Sequence, residues 1–340
     1  MRPGSQRLEQ LDALRGIAAL VVVLFHFTFQ FNLLYGHVGE PLVSVPWGHY
    51  GVNLFFMISG FVIFMTLSRT QHVADFIVSR FSRLYPAYWV AIALTLLIVG
   101  LLGLPGKEVG VSTALLNLLM FQGLFKVANV DGVYWTLVIE LLFYGWALLA
   151  YVLGWLHRVH TILAAALLLR LVYFFADRLL GIELPWTISQ LLILPYIAWF
   201  ACGIMVYRLT QLRDKPRSDG LVIAGAIAVL AITESPGLAL FACVLTAMLY
   251  LAALGRLSLL SLAVFTWLGD ISYTLYLLHE NIGWALMLRL EAAGVNSTLA
   301  IGLVLLAVLA LASAVTRIVE KPAMAWIRSR YKRHRAALAA

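Results

Sequence analysis

Apolar runs of about 17 to 25 residues recur from one end of this chain to the other, each long enough to cross a bilayer as a helix. No other feature limits the fold as much. Backbone in hydrocarbon must satisfy its own hydrogen bonds, and separate runs of this length do so as helices. Composition agrees: the 340 residues are 63% hydrophobic and 12% charged, with mean hydropathy +0.94, whereas a soluble domain carries about 25% charged residues. The fold class is therefore an all-α polytopic membrane protein, one membrane domain over 1–322 followed by a basic amphipathic tail over 323–340. The first run has no convincing small-residue cleavage site after it and reads as a retained helix. Cys202 and Cys243 both lie inside apolar runs and read as small buried hydrophobes rather than a disulfide, a zinc site or a nucleophile.

The candidate segments are 11–31, 50–68, 84–103, 112–126, 134–153, 160–180, 188–207, 219–234, 237–254, 263–288 and 297–318. Segment 112–126 is short and carries Asn117 and Gln122. If it does not cross, one side receives Arg2, Arg7, Arg69, Arg80, Arg83, Arg158, Arg208, Arg213, Lys215, Arg217, Arg256 and the tail RSRYKRHR. The other side keeps little beyond Lys107, Lys126, Arg178 and Arg289. Positive residues collect on the cytoplasmic face, so the reading is about ten crossings, both termini cytoplasmic, and 112–126 re-entrant or interfacial. The net charge of +8 then marks orientation rather than nucleic-acid binding. The tail, with Trp326, Ile327 and Tyr331 among its basic residues, reads as a helix lying on the cytoplasmic leaflet.

Against this background a few polar residues stand out. In RGIAALVVVLFHF, Arg15 and His26 are eleven residues apart, about three turns plus 20°, so they share one helix face about 16 Å apart. His26, Glu140, Arg170 and His279 sit too deep to reach either surface, and ionisable groups at such depth usually mark a site. Arg15 and Asp270 are near enough to a surface to snorkel. Arg170 is expected to neutralise Glu140 or Asp177. His279 either lines a path for substrate or bonds Tyr276 or Ser272. Arg80 and Arg83, three apart just before a helix, are neighbours on one turn and suit phosphate groups.

Five elements in order, LDALRGIAALVVVLFHF, GVNLFFMISGFVIF, RFSRLYPAYW, WTLVIELLFY and GDISYTLYLLH, resemble the membrane acyltransferase-3 family. The resemblance covers nearly the whole chain. It implies about ten helices, a cytoplasmic acyl-CoA donor (acetyl-CoA foremost) as co-substrate, and a hydroxyl acceptor on a glycan or other molecule. It also implies a multi-pass protein of the inner membrane. Arg15 and His26 match the family's essential pair, Arg80 and Arg83 its arginine pair, and Glu140 its acidic position. Asn53 stands where the family often has an acidic residue, and no extracytoplasmic hydrolase-like domain follows the last helix. No metal is expected.

On that reading His26 is the base that takes the acceptor's proton, because an imidazole titrates near neutral pH, and Glu140 orients it or stabilises its imidazolium. A covalent acyl-histidine is the other route. Arg80 and Arg83 hold coenzyme A phosphates, and Arg15 binds the pyrophosphate or polarises the thioester carbonyl. His279, Asn53 and Tyr276 line the acceptor path. The competing class is a transporter or flippase of a lipid-linked sugar, which inverted repeats or paired broken helices would favour; neither is visible. A polytopic glycosyltransferase would want an acidic pair in the first outer loop, where HVGEPLVSVPWGHY offers only Glu40. None of the eight histidines has an aspartate five residues on, as soluble acyltransferases do. The orientation is testable: a thiol introduced by Asp214→Cys is expected to react with an impermeant maleimide from the cytoplasm, and one from Glu183→Cys from the outside. The reverse pattern would mean that segment 112–126 crosses.

Overall fold

The computed structural model describes residues 3–339, and side chains over 9–337. Arg2, the side chain of Arg7 and the last residue of the tail lie outside the described residues. Among the described residues the regular structure is all helical, with turns and irregular loops between the helices. The helices of the first third are α1 (Pro3–Phe25), α2 (Phe31–Leu34), α3 (Gly51–Leu67), α4 (Val73–Leu102) and α5 (Val111–Asn117). Then come α6 (Trp135–Val152), α7 (Val159–Leu180), α8 (Trp186–Leu191), α9 (Ile197–Tyr207), α10 (Pro216–Thr233) and α11 (Pro236–Ala253). The last are α12 (Ala263–Leu278), α13 (Glu280–Ala292), α14 (Ser297–Val315) and α15 (Lys321–Ala339).

Local chemistry sets several of these boundaries. Gly181, in the left-handed region at φ 61°, closes α7 as glycine does after helices generally. Pro216 and Pro236 stand at the first turns of α10 and α11, and Ser235 caps α11 by accepting from Leu238 N at 3.1 Å. Asn296 caps α14 through Thr298 N at 2.9 Å.

Among the described residues, eight helices are long and apolar enough to cross a membrane. Two expected crossings take another form. Segment 188–207 is interrupted before Ile197, where Ile193 adopts φ 49° and Pro195 follows, leaving the shorter apolar helix Ile197–Leu212. Segment 263–288 is divided at His279 into α12 and α13. Segment 112–126 holds the seven-residue α5 and a separate 3-10 turn over Gln122–Phe125, and α5 supplies about 10 Å of helix against about 30 Å of hydrocarbon. Its carbonyls are tied to α4: Tyr88 donates to Asn117 O at 2.8 Å, Trp89 to Leu118 O at 3.0 Å and Tyr85 to Leu119 O at 3.1 Å.

The described residues gather into two units. The first comprises the chain up to Arg15, Asn53–Val73 and Ile139–Thr266. Its core is the crossing of α3 with α9, where backbones meet at two glycines. A Cβ on Gly60 would strike Phe200 O, and one on Gly203 would strike Met57 O. Small residues at such crossings permit the close approach on which helix association in lipid depends. Asp219, fully buried, takes His160 Nε2 and Arg208 Nε at 2.7 Å each and so joins α7 and α10 to the end of α9. Two expectations are corrected here. Arg170 pairs with Glu234 at 2.7 Å, not with Glu140 or Asp177, because the end of α10 reaches it. Cys202 is buried but Cys243 is exposed. In an apolar run the outward face meets lipid, so hydrophobic sequence alone does not mean burial in protein.

The second unit comprises Gly16–Val52, Ala74–Val138 and the chain from Trp267 on. Here α1 lies against α12 at Gly16, where a Cβ would come 2.5 Å from the Leu268–Gly269 backbone. Thr274 Oγ1 lies 2.6 Å from Thr316 Oγ1 and donates to Ala312 O at 3.1 Å, stitching α12 to the end of α14. His37, on the loop after α2, bonds Glu291 of α13 at 2.7 Å. The tail is the helix α15, bound to α4 through Arg328, Tyr331 and Arg335.

The glycine crossing predicts a stability effect. Gly203→Leu is expected to lower the thermal midpoint in detergent by several degrees, since overpacking costs about 1–3 kcal/mol or more. Gly225→Leu, which meets no neighbour within 4 Å, is expected to leave it unchanged. Equal midpoints would remove the close crossing.

Candidate functional site

The groups around His26 all belong to the second unit. After Phe25, α1 widens into a π turn over His26–Gln30, a geometry that withdraws carbonyls from the regular ladder and is frequent at functional sites. Side chains add to the backbone bonds here: His26 O, which accepts from Phe31 N across the turn, also accepts from Trp284 Nε1 at 2.9 Å, and His37 Nε2 lies 3.0 Å from Phe27 O. The ring of His26 sits with Nδ1 at 2.9 Å from Val22 O and 3.1 Å from His279 Nε2.

His279 fixes the chemistry of that contact. It occupies the break between α12 and α13 and is fully buried, with Nδ1 at 2.9 Å from Tyr276 O and 3.2 Å from Leu275 O. Carbonyls only accept, so Nδ1 of His279 carries the proton and its Nε2 is a lone pair. That lone pair accepts from Nδ1–H of His26. In the neutral ring of His26 the basic nitrogen is therefore Nε2.

Nε2 of His26 faces a carboxylate, Oε2 of Glu280, at 3.3 Å. Lys107 Nζ lies 3.7 Å from Oε1 of the same group and 4.9 Å over the Trp284 ring. The carboxylate lies where a side chain at Gly132 would be, 2.7 Å from the place of its Cβ. Asp131, fully buried beside it, accepts from Asn281 N at 3.0 Å and Val133 N at 3.2 Å. Burial pushes the Asp131 carboxyl up to about 6, although those two bonds and Lys107 act the other way. Three consecutive residues, His279, Glu280 and Asn281, thus each engage the site. Side-chain exposure is 28% at Lys107, 14% at His26 and 5% at Glu280, so an incoming molecule can touch the lysine and the imidazole while the carboxylate is covered.

Sequence reasoning passed over Glu280. On a regular helix it would point about 100° away from His279, and only the break at His279 turns both toward one imidazole. The available signal was the charged pair HE inside an apolar segment. Glu140, the acidic residue singled out instead, accepts from Ser59 Oγ at 3.1 Å and from the Tyr144 hydroxyl within the first unit. Arg15, also in that unit, pairs with Asp12 one turn earlier at 3.0 Å. Asn53 lies near the start of α3, half-buried. The buried Tyr276 hydroxyl is 2.9 Å from Thr136 Oγ1 and donates to Val133 O at 3.2 Å, which fastens α12 to the start of α6.

The arginine pair sits on α4 in the second unit. Arg80 bonds Ser79 Oγ at 3.1 Å and lies over the Phe76 ring. Arg83 forms an ion pair with the buried Glu320 and lies 5.9 Å from the centre of the Tyr273 ring. Tyr273 precedes His279 by six residues on α12, about 9 Å of rise. Asp270, midway along α12, pairs with Lys321 at 2.9 Å. Among the described residues no set of three or more His, Cys, Asp or Glu side chains is arranged to hold a metal ion.

The family described as Acyltransferase domain matches residues 8–317 of this chain. Nodulation protein 10 of Rhizobium leguminosarum bv. viciae is 32% identical over 163 residues, covering 40% of this chain and 42% of that protein. Acyltransferase MdmB of Streptomyces mycarofaciens is 30% identical over 152 residues, covering 42% of this chain and 39% of that protein. The chain therefore spans about two fifths of the length of these curated relatives. No solved structure matches it.

The seat of Glu280 can be probed directly. Gly132→Ala puts a methyl group into the space of the carboxylate and is expected to expose His26, so that diethyl pyrocarbonate modifies it several-fold faster, as read by peptide mass spectrometry. An unchanged rate would mean that Glu280 does not shield that ring.

Proposed function

The chain belongs to the acyltransferase domain family, and we propose that it moves an acyl group, acetyl foremost, from cytoplasmic acyl-CoA to a hydroxyl of a cell-envelope or exported glycan. Acyl transfer by this chain, its donor, its acceptor and residence in the inner membrane are all part of the proposal, supported by the family match and the membrane-length helices. The observation that carries the reading is the basic Nε2 of His26, assigned by its bond to His279 and set beside Glu280.

Acyl transfer from a thioester to an alcohol moves one proton and exchanges one bond. As the acceptor oxygen attacks the thioester carbonyl, Nε2 of His26 removes the hydroxyl proton. The C–S bond then breaks, and the same nitrogen returns the proton to the departing thiolate, giving ester and free coenzyme A. Glu280, 3.3 Å from that same nitrogen, stabilises by its charge the imidazolium formed between the two steps; it does not sit at the opposite ring nitrogen as a triad carboxylate does. His279 holds the ring and its tautomer from the opposite side, so no reorientation accompanies proton uptake. An acyl-histidine would use the same lone pair as nucleophile.

The resemblance retains Arg15 and Glu140 as catalytic candidates, each with its own partners in the first unit. Arg80 and Arg83 are the candidate phosphate ligands, and the rise of about 9 Å from Tyr273 to His279 is a span that an extended pantetheine arm covers. The name Acyltransferase MdmB supports acyl transfer and is silent on donor and acceptor here.

The test is transfer of isotope-labelled acetyl from acetyl-CoA into envelope glycans, followed by mass spectrometry. His26→Ala is expected to reduce turnover by about 10²–10⁴-fold, the usual contribution of a positioned base, with unchanged membrane insertion. Glu280→Gln is expected to cost less, because the base remains. Near-normal turnover of His26→Ala would discard the mechanism.

A further inference from the structure

The tail helix α15 and the first turns of α4 enclose a groove of about 640 Å³, walled by Asp75, Ser79, Arg328, Tyr331, Lys332 and Arg335. Small-ligand sites span about 300–1,000 Å³. Arg328 is anchored against α4, donating from Nε to Ser82 Oγ at 3.1 Å and from Nη2 to Ser79 O at 3.3 Å. Arg80 and Arg83 stand beside the groove on α4 rather than in its wall: Arg80 donates to Oγ of the same Ser79 at 3.1 Å, and Arg83 follows Ser82, which accepts from Arg328. Five cationic side chains, Arg80, Arg83, Arg328, Lys332 and Arg335, thus gather with two carboxylates. Each carboxylate is already matched: Glu320 with Arg83, and Asp75 with Arg335 at 2.7 Å and the Tyr331 hydroxyl at 2.8 Å.

Like charges held together in a half-buried recess repel, and an anion of more than one charge offsets that repulsion better than a single carboxylate does. Arginines with planar forks favour phosphate oxygens over other anions. The groove also opens at the first turns of the thirty-residue α4, whose dipole is positive at that end. The two arms of the cluster differ in place. Arg83 lies over Tyr273, on the helix that leads to His279, while Arg328 and Lys332 lie on α15.

We propose that this groove takes the phosphorylated nucleoside end of the acyl donor, with Arg328 and Lys332 holding a ribose phosphomonoester and Arg80 and Arg83 the pyrophosphate. The proposal rests on the acyl-CoA reading above and adds to it residues of the tail, read from the sequence as a surface-lying helix. A phosphate could also arrive on an anionic lipid headgroup, and the experiment separates the two sources.

The full-length protein, in nanodiscs with and without phosphatidylglycerol, is titrated calorimetrically with coenzyme A and with 3′-dephospho-coenzyme A. Wild type is expected to bind coenzyme A more tightly by about thirtyfold, the scale of one or two charge-assisted bonds. Arg328→Ala with Lys332→Ala is expected to bring coenzyme A to the dephospho value and to leave the dephospho value unchanged. Lys332→Ala alone, which cuts no bond to α4, is expected to remove part of the preference and guards against a misfolded double variant. A full preference retained by the folded variants overturns the groove assignment while the donor reading stands. Wild type binding neither compound overturns the donor reading itself. If the variants keep coenzyme A affinity but lose retention of phosphatidylglycerol, the groove belongs to a lipid headgroup and the proposal fails.

Discussion

The contact between His279 and His26 decides the chemistry of the centre of the second unit. A buried imidazole that spends its own N–H on backbone carbonyls can offer only a lone pair to its neighbour. That neighbour must then hold its proton on Nδ1 and its basic pair on Nε2. Two backbone irregularities make the contact possible. The π turn after Phe25 and the break at His279 each redirect side chains, and in a regular helix neither arrangement would form. Departures from regular helix therefore concentrate where the polar residues are, as expected when structure is adapted to a site.

Burying ionisable groups in a membrane protein costs several kcal/mol each unless they are paired. The structure meets that cost by collecting them. Glu280 stands between His26 and Lys107, Glu320 faces Arg83, and Asp219 is shared by His160 and Arg208. In each grouping the carboxylate is buried while a nitrogen partner keeps some exposure, 14% for His26, 28% for Arg83 and 19% for His160.

Part of the candidate site was legible because burial of charge in lipid is costly enough to make each deep polar residue informative. His26, His279, Arg80 and Arg83 each have polar partners in the structure. The partners were another matter. Arg170 met Glu234 rather than Glu140 or Asp177, and Tyr276 turned out to fasten α12 to the start of α6. Glu280 was hidden beside a residue already noticed, since sequence spacing assumes a regular helix and the break invalidates the assumed direction. Arg328 and Lys332 resembled membrane-surface charges because nothing in a basic helix reveals that it folds back against α4.

By itself the sequence determined that this is an all-helical membrane protein with polar residues at depth, that 112–126 is too short to cross, and that the motifs are those of an acyltransferase. These follow from properties of single segments: length against bilayer thickness, the cost of charge in hydrocarbon, residue order within a motif. Tertiary structure decided which carboxylate meets His26, which nitrogen of that ring is basic, and what surrounds the arginine pair. Those are properties of pairs far apart in the chain, such as His26 with Glu280 and Ser82 with Arg328. Their directions depend on helix breaks and crossings that hydrophobic periodicity does not encode.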